Sequence, residues 1–242
     1  MRPALLLPLI AFMTLGSGAT AGEVVNPWLS WLERSEAILE RTDGYTVTFH
    51  KKERVSDKLF TDDTMRLKFM KPFNIYLEWV NAKGTGGEAI YVDGWNRNRV
   101  RVHPGGFWGL LKFNLATDSR WLKRQNRHPI TDLGLRHLVG LIGENVRRGL
   151  AVGEFASVDH GEVVMFGRRA LVLEGVLPPE LTKGYYCRRA LVHVDAESGL
   201  LMNIRIYDWT DRLVEEYGYE DFKPDLTLTT ADFSPENPRY RF

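Results

Sequence analysis

The chain has 242 residues, 44% hydrophobic, 26% charged and 12% aromatic, the profile of a globular protein large enough to fold without a metal or a disulfide. With 32 Lys and Arg against 31 Asp and Glu, it lacks the basic surplus of a nucleic-acid binder, and its near-neutral total argues, weakly, against long-range capture of anionic lipid headgroups. Its single cysteine, Cys187, excludes an intramolecular disulfide and reads as a small buried hydrophobe inside a strand.

The N-terminus opens with Met1-Arg2-Pro3, runs apolar from Ala4 to Leu15, and reaches Ala19-Thr20-Ala21. This order of a basic, an apolar and a small-residue region predicts a signal peptide over 1–21 and an exported, periplasmic protein. The apolar run is too short to span a bilayer comfortably, and no later stretch has 18 uninterrupted apolar residues. The remainder, 22–242, is therefore expected as one domain and not as an integral membrane protein.

Trp28, Trp31, Leu32, Ile38 and Leu39 recur at helical spacing among charged residues, predicting an amphipathic helix over 28–41 that begins beside Pro27. The period then changes to two. Tyr45, Val47 and Phe49, then Met65, Leu67 and Phe69, then Phe73, Ile75, Leu77 and Trp79, then Val100 and Val102 alternate with polar residues. Such alternation predicts antiparallel strands with one apolar face. The Gly84-Thr85-Gly86-Gly87 stretch lies between two of these strands and reads as a hairpin turn. No helix N-terminus follows it to hold a phosphate.

From Phe107 to about Leu150 the spacing is again helical. Trp108, Leu111 and Leu115 form a short stripe, and Leu135, Leu138, Val139, Ile142 and Val146 a longer one. Thr131 or Asp132 is expected to cap the long helix and Gly149 to lie near its end. Strands resume over 162–166, 170–176, 185–194, 200–208 and 213–222, with 195–199 as a hairpin loop, and the chain ends in a loop-like stretch from Asp232. The fold class these elements predict is α+β: a large antiparallel sheet with an N-terminal helix and a helical insertion.

Catalytic signatures are missing: no G-x-S-x-G, H-E-x-x-H, P-loop or dinucleotide fingerprint occurs. The six histidines are scattered, without metal-ligand spacing. His128, just ahead of the long helix, reads as a loop residue holding the helix entry. Glu215-Glu216 are neighbours on a predicted strand and so point to opposite faces, a poor acid/base couple. No cofactor is implied. The aromatic load is compatible with a filled core or with a hydrophobic cavity between a curved sheet and its helical cover.

The order of signal peptide, amphipathic helix, strand meander, helical insertion and further strands resembles the LolA-like superfamily of periplasmic lipoprotein carriers and the RseB N-terminal domain. Met70-Lys71-Pro72-Phe73, Tyr76-Leu77-Glu78-Trp79, Gly87-Glu88-Ala89-Ile90-Tyr91-Val92, Arg127-His128-Pro129-Ile130 and Asn237-Pro238-Arg239-Tyr240-Arg241-Phe242 resemble, more closely, an exported bacterial family, domain of unknown function 1571. The resemblance implies an unclosed half-barrel whose helices cover the concave face. It further implies a non-enzymatic carrier or chaperone for a lipid, lipoprotein or other acyl-bearing ligand. Such a cavity is expected to be lined by Phe69, Leu77 and Trp79 from the sheet and by Trp108, Leu111, Leu138 and Ile142 from the cover. The alternative is a cell-envelope interaction or stress-sensing module with a filled core, presenting an exposed patch around Asn96-Arg97-Asn98-Arg99 to a protein partner.

Overall fold

A computed structural model of the chain describes residues 26–81, 85–106 and 111–242. The expected signal peptide, Gly84 of the expected hairpin turn, and Trp108 lie outside them. Helix α1 (Pro27–Arg41) comes first, followed by β1 (Gly44–Val55), β2 (Lys58–Met70), β3 (Asn74–Trp79), β4 (Glu88–Val92), β5 (Arg99–His103) and β6 (Phe113–Ala116). The short helix α2 (Arg120–Lys123) and the long helix α3 (Leu135–Ala151) lead to β7 (Ala156–Met165), β8 (Arg168–Val176), β9 (Arg189–Asp195), β10 (Leu201–Tyr207) and β11 (Leu213–Pro224).

The strands make one 11-stranded antiparallel sheet in the order β6-β5-β4-β3-β2-β1-β11-β10-β9-β8-β7. Two meanders thus meet where β1 pairs β11, with Phe49 opposite Tyr219 and Glu53 opposite Glu215, and β6 and β7 remain as open edges. This is the expected α+β arrangement, a large antiparallel sheet left unclosed. Helices α1 and α3 lie on its concave face, joined through Glu36–Arg147 (2.7 Å) and Glu40–Arg136. Trp28 and Leu32 of α1 and Leu135 and Val139 of α3 are almost fully buried against the strands.

Helix α1 begins as its sequence dictates: Asn26 accepts the Trp28 amide at 2.9 Å and Pro27 occupies the first turn. Helix α3 departs from expectation. Neither Thr131 nor Asp132 caps it, because both lie in a separate 3₁₀ turn over Ile130–Asp132. Gly134, at φ 123°, stands at the cap position, and the buried amide of Leu135, which has no partner within the helix, donates instead to the Tyr45 hydroxyl of β1 at 3.1 Å. A tertiary contact replaces the local cap. Gly149 does lie near the helix end, two residues before Ala151, where a Cβ would come within 2.9 Å of Leu177.

Three further expectations are corrected. The 111–115 stretch is not helical: Leu115 pairs with Val100 and Phe113 with Val102, since β5 offers an unpaired edge that a strand can satisfy. Strand β7 begins at Ala156, six residues early, and nearly all of it is exposed, so no alternation announces it. Cys187 is buried as expected, but in the irregular segment ahead of β9.

The C-terminal stretch crosses the outer face of β2–β4. Tyr240 stacks on Tyr76 at 4.0 Å, and the buried Glu88 accepts the Tyr76 hydroxyl (3.0 Å) and the Arg241 amide (2.7 Å).

Candidate functional site

The concave face carries inward residues from every strand of the first meander, and its two halves are covered differently. Over β8–β11, α1 and α3 insert Trp28, Leu138, Ile142 and Val146 against Ile204, Ile206 and Cys187, leaving a crevice of about 30 Å³. Over β1–β5 the cover is the irregular strap formed by 121–133, and beneath it lies a cavity of about 340 Å³. That volume is at the lower end of small-molecule pockets, roughly 300–1,000 Å³. Met65, Leu77, Trp79, Ala89, Val100 and Val102 form its floor, and Leu122, Ile130 and Leu133 its roof.

Two other depressions have comparable volume but a different character. An open groove of about 470 Å³ runs beside Phe69, Phe73 and the first turns of α3, and a polar one of about 360 Å³ lies around His50, Asn203 and Glu216. The strap-covered cavity is the one whose floor is the buried apolar face of the sheet.

Of the residues expected from sequence to line a cavity, Leu77 and Trp79 border this one. Phe69 borders the open groove instead, stacked on Tyr45. Leu138 and Ile142 border the narrow crevice under α3. Leu111 is exposed and borders none of these spaces, and Trp108 lies outside the described residues.

A charged cluster separates the two halves, and sequence reasoning missed most of it. Lys51 and Glu53 continue the inward parity of Tyr45, Val47 and Phe49 and are 7% and 1% exposed. Glu215 on β11, also 1% exposed, lies at the centre. Its carboxylate accepts the Arg127 guanidinium at 2.7 Å and the Tyr186 hydroxyl at 2.7 and 2.8 Å, and it stands 3.1 Å from His128 Nε2. Glu53 accepts the Tyr217 hydroxyl (2.5 Å) and the Arg127 amide (2.9 Å). Lys51 donates to Asn126 and faces Asp63 at 3.5 Å. Arg127, His128 and Asn126 all belong to the strap, so the cluster is a latch fastening the strap to β1 and β11.

The electrostatics follow from this enclosure. Burial disfavours the His128 imidazolium, but Glu215, with Glu53 and Asp132 behind it, outweighs that and holds its pKa above the ordinary value. Burial likewise opposes ionisation of Glu215, and bonds from His128, Tyr186 and Arg127 bring its pKa below the usual carboxylate value. Tyr186 and Tyr217 are pushed up by burial and by the carboxylates they donate to. Cys187, close by, is pushed up to about 12 by burial and by Glu215. The acceptors of Glu215 and Glu53 are taken by groups of the latch itself, an arrangement suited to fastening rather than to proton exchange with a substrate. Parity along β1 was the available signal for Lys51 and Glu53; nothing local points to Tyr186.

Glu215 and Glu216 do face opposite sides: Glu216 lies on the outer face, bound to Lys52 (3.0 Å) and Arg205 (3.1 Å). Among the described residues no group of three or more His, Cys, Asp or Glu is placed to hold a metal. No helix among them is long and apolar enough to cross a membrane.

No curated protein matches this chain in sequence. Among solved structures it is similar to the MucA/MucB complex of Pseudomonas aeruginosa, at 15% identity and TM-score 0.48, over 86% of this chain and 61% of that one. It is similar also to the Mycobacterium tuberculosis lipoprotein LppX, at 13% identity and TM-score 0.48, over 84% of this chain and 98% of that one. A LolA superfamily protein from Nitrosomonas europaea matches at 13% identity and TM-score 0.37, over 85% and 96%. The model of the family described as Protein of unknown function (DUF1571) matches residues 42–242, and the chain belongs to that family.

Proposed function

We propose that this protein is a non-enzymatic, exported carrier or chaperone for a lipid, lipoprotein or other acyl-bearing ligand, whose apolar part occupies the cavity under the 121–133 strap. The observation that carries this reading is the contrast on one sheet face: helices fill one half, while buried apolar side chains around Leu77 and Val102 are left facing about 340 Å³ of open space. An acyl chain in water costs about 0.8 kcal/mol per CH₂, so a soluble carrier must offer apolar walls that stay shielded when empty. The strap supplies the shield. Its latch lies to one side of the cavity, so it can release without unpacking α1 and α3.

The test is purification from the periplasm without detergent, followed by native mass spectrometry and lipid extraction. A stoichiometric acyl ligand is expected in the wild type and not in Ala89→Phe, which places a ring into the cavity from its floor. A clean mass, with no uptake of a fluorescent fatty acid, overturns the carrier reading and favours a protein-interaction module.

A further inference from the structure

The near balance of charge in the whole chain conceals a segregation. Between Asp93 and Arg127 there are eight Lys and Arg against Asp93 and Asp118, a surplus of six in a chain whose total is +1. The described part of this stretch forms β5, β6, α2 and their turns, which make the open edge of the sheet beside the cavity. The side chains of Lys112, Arg120, Lys123 and Arg124 are exposed, and no ion pair or hydrogen bond among the described residues engages them. Arg147, Arg168, Arg205 and Arg212, elsewhere on the molecule, each sit on a carboxylate.

Apolar groups are exposed at the same edge. Trp121 is 51% exposed, Leu111 43% and Phe113 37%, and the rings of Phe113 and Trp121 lie 6.5 Å apart. Trp121 also borders the cavity. An exposed indole, phenyl and leucine ringed by unpaired cations, at the mouth of an apolar cavity, is complementary to one kind of surface. Aromatic and aliphatic groups seat in the headgroup layer of a bilayer, and Lys and Arg meet anionic headgroups. Phosphate recognition alone would leave Leu111 and its neighbours unexplained.

We propose that this edge docks on an anionic lipid bilayer and sets the cavity mouth against the headgroups. The purpose of the contact rests on the carrier reading; the contact itself does not.

The test is cosedimentation of the chain lacking residues 1–21 with vesicles of phosphatidylglycerol and phosphatidylethanolamine, and with vesicles of phosphatidylcholine, at low and high salt. Binding to the anionic vesicles and release by salt are expected, with little binding to phosphatidylcholine. Lys112→Glu/Arg120→Glu/Lys123→Glu, which alters no residue bordering the cavity, is expected to weaken binding by roughly tenfold or more. Lys58→Glu/Lys223→Glu/Arg239→Glu, with the same charge change elsewhere, is expected to keep it. Trp121→Ala is expected to weaken binding at constant charge. No binding to anionic vesicles, binding indifferent to lipid charge, or equal loss in the distant triple variant overturns the proposal, as does capture of an acidic protein or RNA without vesicle binding. Fatty-acid uptake measured on the same preparations separates the two readings. Uptake kept while vesicle binding is absent overturns the docking surface alone; vesicle binding kept while uptake is absent overturns the carrier alone.

Discussion

The two halves of the concave face are built from the same kind of strand and end in opposite states. Under α1 and α3, side chains at helical spacing reach into the sheet and leave about 30 Å³; under the strap, a segment with little regular structure bridges about 340 Å³. An amphipathic helix projects a continuous stripe of large side chains toward the sheet and so fills the space beneath it. The strap instead commits Asn126, Arg127 and His128 to the polar border, and Leu122, Ile130 and Leu133 over the floor leave the space beneath unfilled. What decides between core and cavity is the cover, not the sheet.

Matched truncations should expose the difference. Leu32→Ala, at a site with no exposure under α1, is expected to cost about 4 kcal/mol in denaturant unfolding, from lost transfer and a new void. Leu77→Ala, which only enlarges a space already open, is expected to cost about 2 kcal/mol. Equal losses would mean that the two halves are equally filled.

The border comes next in size. Glu215→Ala leaves Arg127, His128 and Tyr186 without their shared acceptor. A loss of about 3 kcal/mol is expected, at the low end for a broken buried pair because the Arg127 side chain is 36% exposed. Protease sensitivity within 121–133 should rise in the same variant, since the strap loses its fastening.

Enlarging substitutions invert the first comparison. A Cβ on Gly175 would meet the rings of Phe155 and Trp28 at 2.8 and 2.9 Å, so Gly175→Ala is expected to cost about 2 kcal/mol by overpacking. Ala89→Phe adds far more volume yet is expected to cost less than about 1 kcal/mol, because it enters the cavity. Thermal melts of the two variants side by side would show the sign.

Much of this division is legible in the amino-acid sequence. The period-three-to-four stripe of α3 and the period-two runs of β1–β3 announce themselves, because burial selects apolar residues at those intervals. The latch does not. Lys51 and Glu53 hold inward positions on β1 but carry charge, so the alternation stops at Phe49 as if the strand ended there; pairing with β11 and the strap, both remote in sequence, makes those charges tolerable. Strand β7, exposed along nearly all its length, has no apolar face to mark it, and β6 is masked by a Leu111–Leu115 spacing that equally suits a helix. Sequence does not separate the cavity from a core, since Leu77 and Leu32 read alike.

The smallest effect expected is the pH dependence of the latch. His128, held above its ordinary value of 6.5, contributes fully below about pH 6.5, and that contribution is lost as pH rises through its folded value. Glu215, held below its ordinary 4.5, contributes above about pH 4.5 and loses that contribution as pH falls. The latch is therefore tightest in the weakly acidic window between them. The difference in melting temperature between wild type and His128→Gln should be greatest there and shrink toward alkaline pH; a constant difference would contradict the linkage.

The most direct test of the central claim, that the strap-covered half is the ligand site and the helix-covered half is core, is diffraction from crystals grown with a brominated fatty acid. The anomalous bromine peak is expected between the floor around Leu77 and Val102 and the roof at Ile130. A peak beside Trp28, Leu138 and Ile142, or bromine on the outer surface alone, would contradict it.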